Sequence, residues 1–423
     1  MRFPAFSGAD AAQALFGGRS TLVLGLALFA TLTLLRAVVV TGVGDHLSAD
    51  QPQSSLALGD SSPEVLASAA LDSWQAKNYA RASKLSMAAL DRSPLNVHAL
   101  RTRGLALDSE GQAARAEQVM QFAATRSWRD DGVQGWLLRD EIVKHQFDQA
   151  FLHADALARR RQELWPALFL LFEVGAGDDR SARAIMPRLA AQPLWRETFL
   201  EALSLSRQKD PAIEKMFELV DRGPTPLEGP ELSDYPKRLV REGRFHDALV
   251  ALQSYRGGRA LTGSPFDGGF TDKTGAPPFA WQKLDKPGAS LDMDSAPGRP
   301  GASALRVEYD AYSADDLMRQ ALAPSPGDYL LSGEVFPEEG DARLIGWQVR
   351  CAGDRRILAT GGADASAAPN IWRRFAARFS VPAQGCDGVW LVLTETRQDH
   401  GSSNTVWFTN LAIQPAAPAA AAK

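Results

Sequence analysis

Residues 77–90 read KNYARASKLSMAAL, and the same pattern returns as GQAARAEQVMQFAA at 111–124 and as HQFDQAFLHADALA at 145–158. Apolar residues recur in each stretch at three- and four-residue spacing, which is typical of amphipathic α-helices. A small residue stands at the same place in every copy, at intervals of 34 positions: Ala82, Ala116 and Ala150. Small residues at a fixed period allow paired helices to cross closely. The three stretches therefore predict an array of stacked helix pairs.

The turns between the helices follow the same phase. Lys77, Gly111 and His145 each stand just before the second helix of a pair, and Pro94 closes the first pair. On these positions the segment from Pro63 to Leu164 resembles the tetratricopeptide repeat family. The resemblance implies that the three repeated alanines pack between helices, and that the concave surface of the array binds a protein partner.

Helical patterning continues beyond the third repeat. The phrase GRFHDAL at 243–249 restates the turn and its small residue out of strict register. Residues 63–256 are therefore predicted to form an all-α, tetratricopeptide-like solenoid. Such an array either holds a protein partner or acts as a spacer between the membrane and the next domain, and the sequence leaves both roles open.

The segment near the N-terminus is strongly apolar. Between Thr21 and Val43 the only charged residue is Arg36, and a helix of this length spans about 34 Å, enough to cross the hydrocarbon core of a bilayer. Residues 20–43 are therefore predicted to form one transmembrane helix after a leader at 1–19. A cleaved secretory signal is the alternative, but the long leader and the lack of an Ala-x-Ala site favour an anchor.

Charges on either side of this helix predict its direction. Arg2 and Arg19 precede it with only Asp10 against them, whereas Asp45 and Asp50 follow it. The positive-inside rule then keeps the leader in the cytoplasm. We expect a single-pass protein of the bacterial inner membrane with its bulk in the periplasm, the helical repeats being joined to the anchor by a linker at 44–62.

The pattern changes after Tyr255. Residues 257–263 are predicted to form a linker, and residues 264–415 contain short apolar runs separated by Gly, Pro, Asp and Ser. Short strands at this density predict an all-β sandwich, followed by an Ala/Pro tail at 416–423. The candidate strands are 304–309, 317–322, 327–336, 343–351, 372–381, 388–394 and 405–413.

Several phrases of this module occur in an ordered series: FDGGF at 266–270, PFAW at 278–281, PGDYLLSG at 326–333 and VWFTNLAI at 406–413. In this order they resemble a carbohydrate-binding-module-like jelly roll, and the resemblance implies a polysaccharide ligand. Related modules often carry an acidic residue in the last strand where this chain has Thr409 and Asn410. A calcium or sugar role tied to that acid is therefore not carried over.

Five tryptophans lie in the β module, and most are expected in its core. Trp347 alternates with Ile345 and Val349 on one face of its strand, as a core residue would. Trp281 and Trp372 instead follow loop-like segments. These two are the predicted ligand-binding residues, because an indole face can stack on the apolar face of a sugar ring.

The two cysteines of the chain, Cys351 and Cys386, both lie in the β module. Export to an oxidising compartment permits a disulfide, which we predict between them. Structural zinc is not expected, because no other His or Cys stands near either at a suitable spacing.

Composition and motifs exclude several classes of function. The balance of 46 basic and 50 acidic residues, a formal charge of -4, argues against a nucleic-acid binder. The motifs of nucleophile elbows, phosphate loops and zinc hydrolases do not occur, so we expect no catalytic residues, metal or cofactor. The leading hypothesis is a non-enzymatic scaffold in surface-polysaccharide assembly or export, with a protein partner on the repeats and an envelope glycan on the β module. The alternative is a protein-interaction or spacer protein without a glycan ligand.

Overall fold

The computed structural model describes residues 51–207, 210–257, 264–271, 273, 275–310, 316–364, 367–397 and 403–416. The predicted leader at 1–19 and the predicted transmembrane helix at 20–43 lie outside these residues. Within them, no helix combines the length and the apolar character needed to span a bilayer. The chain divides into two compact units, one up to Gln162 and one from Glu163 onward.

The first unit is all helical. Its helices are α1 (Pro52–Ala57), α2 (Pro63–Gln75), α3 (Tyr79–Arg92), α4 (Val97–Ser109), α5 (Ala113–Arg126), α6 (Asp131–Val143) and α7 (Phe147–Ala158). The predicted helix pairs are therefore present, and both series of helix starts keep the interval of 34 residues. Ala82, Ala116 and Ala150 each have a relative exposure of 0%.

Helix capping explains why the first helix of each pair begins where it does. Ser62, Asn96 and Asp130 stand immediately before α2, α4 and α6, and each side chain accepts a hydrogen bond from a backbone N–H of the first turn. Such caps satisfy donors that the helix cannot. The caps recur at the same interval as the helices, so the repeat includes the positions that start them.

Two residues after each first helix ends, the backbone adopts the left-handed conformation that the turn into the second helix requires. The φ angles are 59° at Lys77, 79° at Gly111 and 56° at His145, and Gly243 repeats this geometry with 82° in the second unit. A residue with a Cβ is strained in this region, whereas glycine is not. The turn phrases found in the sequence thus correspond to positions where the backbone must adopt a positive φ angle.

We expect Gly111→Ala to destabilise the first unit by about 1 kcal/mol, because alanine would be forced into the left-handed region. No atom lies within 4 Å of the added Cβ, so strain and not a clash sets the cost. The matched control is Gly135→Ala within α6, where there is also no neighbour within 4 Å and φ is ordinary. It should gain about 0.5–1 kcal/mol from helix propensity. Denaturant unfolding of both variants measures this, and effects of equal sign would contradict it.

The second unit begins with helices and ends with strands. The helices are α8 (Trp165–Ala176), α9 (Asp179–Ala190), α10 (Arg196–Leu205), α11 (Asp210–Arg222), α12 (Glu231–Arg241) and α13 (Phe245–Ser254), with short 3₁₀ turns at Gln162–Leu164 and Ala342–Leu344. The sequence predicted one helical domain over 63–256. In the structure the helices from Trp165 onward belong to the same compact unit as the β module.

The β module is a two-layered antiparallel sandwich, as predicted. Its strands are β1 (Gln282–Lys283), β2 (Ala289–Ser295), β3 (Ser303–Tyr309), β4 (Asp316–Leu322), β5 (Gly327–Glu339), β6 (Ile345–Cys351), β7 (Ile357–Gly362), β8 (Arg373–Val381), β9 (Val389–Glu395) and β10 (Asn404–Pro415). One sheet has the order β1-β4-β9-β6-β7 and the other β2-β3-β10-β5-β8. Only the β2–β3 and β6–β7 connections stay within one sheet.

Inward-facing side chains of both sheets form the core of the sandwich. Trp347, Val349, Leu391 and Phe408 each have a relative exposure of 0%, which confirms the expected core position of Trp347. The predicted disulfide is also confirmed: Cys351 is bonded to Cys386, with Cα atoms 5.4 Å apart.

The last helix packs on the sandwich within the second unit. The ring of Phe245 in α13 lies edge-on to that of Trp390 in β9, with centroids 5.7 Å apart. A Cβ at Gly388 would lie 2.1 Å from Cγ of Phe245, so this approach requires glycine. The helix thus lies directly beside one end of β9.

Candidate functional site

The outer face of the β1-β4-β9-β6-β7 sheet carries polar side chains that bond one another across the strands. Alternation along each strand turns one set of residues to the core and the other outward. The strand register places five outward residues in one row across all five strands, in the order Gln282, Arg319, Val392, Gln348 and Thr360. A neighbouring row contains Ala321, Trp390, Arg350 and Ile357, and α13 packs on this row through the contact of Phe245 with Trp390. We call these two rows together with Asp316 the polar face.

Arg350 lies along the polar face and is held at both ends of its guanidinium. Its Nη1 donates to the two carboxylate oxygens of Asp316 at 2.8 and 3.0 Å, and its Nε donates to Oε1 of Gln348 at 2.8 Å. Asp316 is on β4 and Arg350 on β6, so the side chain reaches across β9. Val392 on β9 is only 2% exposed although it faces outward.

Arg319 is fixed differently, because an aromatic ring and an amide hold it. Its Cζ lies 4.6 Å from the ring centroid of Trp390, a cation–π distance. Its Nε donates to Oε1 of Gln282 at 3.1 Å. Among the residues that the structure describes, no carboxylate forms an ion pair with this guanidinium. The polar face therefore presents one neutralised arginine and one that keeps an uncompensated positive charge.

The predicted ligand residue Trp281 does not lie on the polar face. It comes directly before Gln282, and its ring packs inward, 5.4 Å from Phe270 and 5.2 Å from Trp347 between centroids. Its indole N–H donates to the backbone oxygen of Asp267 at 3.0 Å. These contacts use the ring for packing, and sugar contact by Trp281 stays a prediction.

Trp372, the other predicted ligand residue, lies on the outer face of the opposite sheet. It packs against Phe336 at 5.3 Å, Arg299 lies over its ring at 4.4 Å, and its indole N–H donates to the backbone oxygen of Pro297. Trp281 thus packs against the core of the sandwich, whereas Trp372 packs in a separate cluster with Phe336. They do not form one site, and ligand contact by Trp372 also stays a prediction.

Beside Trp372, Glu334 forms the centre of an ion network. Burial alone would raise the pKa of its carboxyl group, but hydrogen bonds from Arg299, Arg374 and Asn410 outweigh burial and hold the pKa below its usual range. Every charge in this network has a partner. The charges around Trp372 are therefore paired with one another, whereas on the polar face the guanidinium of Arg319 has no carboxylate partner among the described residues.

The residues of the polar face were not singled out from the sequence, although some signals were present. The strands containing Arg319, Arg350 and Trp390 were predicted with nearly correct ends. Alternation within each strand could have placed these side chains outward. What alternation could not supply is the register, which makes Arg319 a neighbour of Gln282 and of Trp390.

On the helical repeats, the three predicted packing residues Ala82, Ala116 and Ala150 lie within the helix layers. They are therefore unavailable to a partner. The predicted protein partner of the repeats has no further test in the structure and stays a prediction.

No family model and no curated protein matches the chain. A solved structure of the CBM22-1 and GH10 modules of xylanase 10B from Clostridium thermocellum, complexed with xylohexaose, matches 32% of this chain and 26% of its own, with 17% identity and a TM-score of 0.25. The chain thus spans about a quarter of that protein's length.

Two isolated modules are also similar over part of the chain. The CBM22-1 xylan-binding domain of Paenibacillus barcinonensis Xyn10C matches 32% of this chain and 87% of its own, with 17% identity and a TM-score of 0.24. A CBM4 module matches 37% of this chain and 100% of its own, with 13% identity and a TM-score of 0.28. The solved structures similar to part of this chain thus include carbohydrate-binding modules, at TM-scores too low to argue function.

Proposed function

We propose that the chain is a membrane-anchored binding protein of the bacterial envelope, whose carbohydrate-binding-module-like jelly roll holds a glycan. In this proposal the predicted helix at 20–43 anchors the chain in the inner membrane and the bulk lies in the periplasm. The tetratricopeptide-like repeats hold a protein partner, and the pathway is surface-polysaccharide assembly or export. The protein has no catalytic role of its own.

The observation that carries the glycan proposal is the polar face. Two amides and two guanidinium groups stand side by side there, and each is held by a neighbour within the face. Amides both donate and accept hydrogen bonds, and guanidinium groups donate several in one plane. A sugar chain presents hydroxyl groups in rows, so such a surface can bond several of them at once.

Preorganisation is the physical reason that this surface favours binding. A long side chain that must be ordered on binding loses roughly 0.5–1.5 kcal/mol of conformational entropy. Gln348 and Arg350 are already ordered by one another, and Arg319 is ordered by Gln282 and Trp390. A ligand on the polar face would avoid most of that cost.

The helical region supports the scaffold part of the proposal through its architecture. Helix pairs at a regular interval stack into an extended surface suited to a partner segment. The first unit also exposes large apolar side chains, with Phe122 at 41% and Trp128 at 46%. These exposed rings favour a protein partner over a pure spacer role.

Binding of the full chain to polysaccharides from the producing organism's envelope tests the proposal. We expect retardation in affinity electrophoresis by at least one of them. The double variant Gln282→Ala/Gln348→Ala should lose roughly tenfold or more in affinity, because it removes the hydrogen bond of Gln282 to the ligand and the support that the buried Gln348 gives to Arg350, together about 1–3 kcal/mol. Gln414→Ala, an exposed glutamine of the opposite sheet, is the matched control and should bind normally. Thermal unfolding of each variant verifies that it is folded.

Two results would count against this proposal in different ways. If no envelope polysaccharide retards the chain, the glycan function is wrong, and the protein-interaction alternative gains. If one binds but the double variant binds it equally well, the polar face is the wrong site. Trp372→Ala, measured in parallel, tests the site that the sequence favoured.

A further inference from the structure

We infer that the ligand of the polar face is an acidic glycan, and that the guanidinium of Arg319 binds its uronic acid carboxylate. This inference rests on the proposed glycan function and adds the chemical class of the ligand. It depends on the difference between the two arginines of the face.

The charges of the polar face do not balance. Asp316 accepts two hydrogen bonds from Arg350 and neutralises it. Arg319 has no such partner among the described residues, although it is held in place. An immobilised cation without a counter-ion attracts an anionic group of the ligand, whereas a neutral glycan would leave the charge uncompensated.

The free donors of Arg319 have the geometry that a carboxylate needs. A guanidinium has five N–H donors, and Gln282 occupies the one on Nε. The two Nη groups remain, and they form the end-on fork that binds both oxygens of a carboxylate. Because the ring of Trp390 and the amide of Gln282 hold the guanidinium, the fork is positioned before the ligand arrives.

The neighbours of Arg319 favour a sugar acid over a small anion. Gln282 is half-buried beside Arg319 and Thr360 is exposed at the end of the same row, whereas Gln348 is only 8% exposed and holds Arg350. Gln282 and Thr360 can bond hydroxyl groups of adjacent sugar rings. One cationic fork within a row of neutral polar groups fits a polymer that has one carboxylate among many hydroxyls.

The experiment compares one polysaccharide in two chemical forms. An envelope polysaccharide that retards the full chain is measured before and after its carboxyl groups are reduced to primary alcohols, which removes the charge and keeps the backbone. We expect carboxyl reduction to weaken binding tenfold to a hundredfold. Arg319→Gln should weaken binding to the acidic form by the same factor and abolish the difference between the two forms, while Arg319→Lys should retain part of it.

The control for general electrostatic attraction is Arg378→Gln. Arg378 is an exposed arginine on β8 of the opposite sheet, paired in register with Leu330. The variant Arg378→Gln should bind both forms of the polysaccharide with the affinity of the unaltered chain. If Arg378→Gln and Arg319→Gln lose the same affinity, the attraction is nonspecific and the inference is wrong.

The remaining outcomes separate the inference from the proposed function. Equal binding of both forms, or a preference for the acidic form that survives in Arg319→Gln, would overturn the acidic-ligand inference and leave glycan binding standing. Loss of binding only after removal of phosphate or sulfate groups would overturn the carboxylate assignment. If neither form of any polysaccharide binds, the glycan function itself fails and the inference fails with it.

Discussion

Replacing Arg196 by methionine should lower the free energy of unfolding of the second unit by about 3–5 kcal/mol, the cost of leaving a buried partner charge unpaired. The side chain of Arg196 is 4% exposed and that of Glu231 is 11% exposed, with Nη2 and Oε2 at 2.7 Å. A second hydrogen bond joins Nε of Arg196 to Oε1 of Glu231 at 2.9 Å. The bidentate pair joins α10 to the start of α12.

Arg196 also donates to backbone groups of the neighbouring segments. Its guanidinium donates to the carbonyl oxygens of Leu189, Thr225 and Pro226. A methionine fills a similar volume but donates nothing, so the oxygens of Thr225 and Pro226 would lose this donor and Glu231 would lose its ion pair, whereas the oxygen of Leu189 keeps the N–H of Gln192. Buried polar groups that lose a partner pay their full desolvation cost, which is why the expected effect is large.

Denaturant unfolding measures the effect, and an exposed ion pair provides the control. Arg222→Met removes the pair with Glu218, whose side chains are 74% and 45% exposed, and should change stability by less than about 1 kcal/mol. The double variant Arg196→Met/Glu231→Gln should cost less than the sum of its single variants, because it leaves no unpaired charge. Additive losses, or a loss from Arg196→Met no larger than that of the control, would contradict the prediction.

The helical region could be predicted closely because its information is local. The small residues, the caps and the left-handed turns all recur at one interval, and each is a property of one segment of chain. The small residues and the turns indicated the helix pairs in the sequence, and the caps in the structure recur at the same interval. The grouping of α13 with the sandwich could not be predicted, because it depends on Phe245 meeting Gly388 and Trp390 more than 140 residues along the chain.

The β module shows the same limit in another form. All seven candidate strands are present, and the three that were missed, β1, β2 and β7, are all edge strands. An edge strand has one neighbour, so its sequence is under weaker constraint. The outward residues Asp292 and Asp294 of β2, and the glycines at the end of β7, have low strand propensity. These segments form strands because they pair with a neighbouring strand, and not because of their own strand propensity.

The candidate site was the least predictable part. It depends on the strand register and on whether each tryptophan ring packs within the protein or is available to a ligand. The sequence favoured Trp281 and Trp372 because loops precede them. The structure shows that each indole N–H already has a backbone acceptor, on Asp267 and on Pro297 respectively. Arg319 is distinctive only because Asp316 pairs with Arg350 instead, and a single sequence does not reveal which of two arginines a carboxylate will choose.

Removing the disulfide by Cys351→Ala/Cys386→Ala should destabilise the β-sandwich by about 4 kcal/mol. In the chain-entropy model a crosslink limits the unfolded chain, and the stabilisation grows with the size of the closed loop. The two cysteines are 35 residues apart in sequence, which gives this estimate. Both side chains are buried, at 1% and 6% exposure, and alanine leaves only a small cavity, so most of the loss should come from the missing crosslink.

The measurement compares the double variant with unaltered protein, each with and without a thiol reductant in the denaturant series. Reductant should lower the stability of the unaltered protein to that of the variant and should leave the variant unchanged. Thiol labelling of denatured, unreduced protein should detect no free thiol. Two labelled thiols per chain would show that the bond does not form in the protein as it is produced. A variant within about 1 kcal/mol of the oxidised protein would show that the crosslink contributes little, because the β6 and β9 ladder already holds Cys351 opposite Val389 and hence close to Cys386.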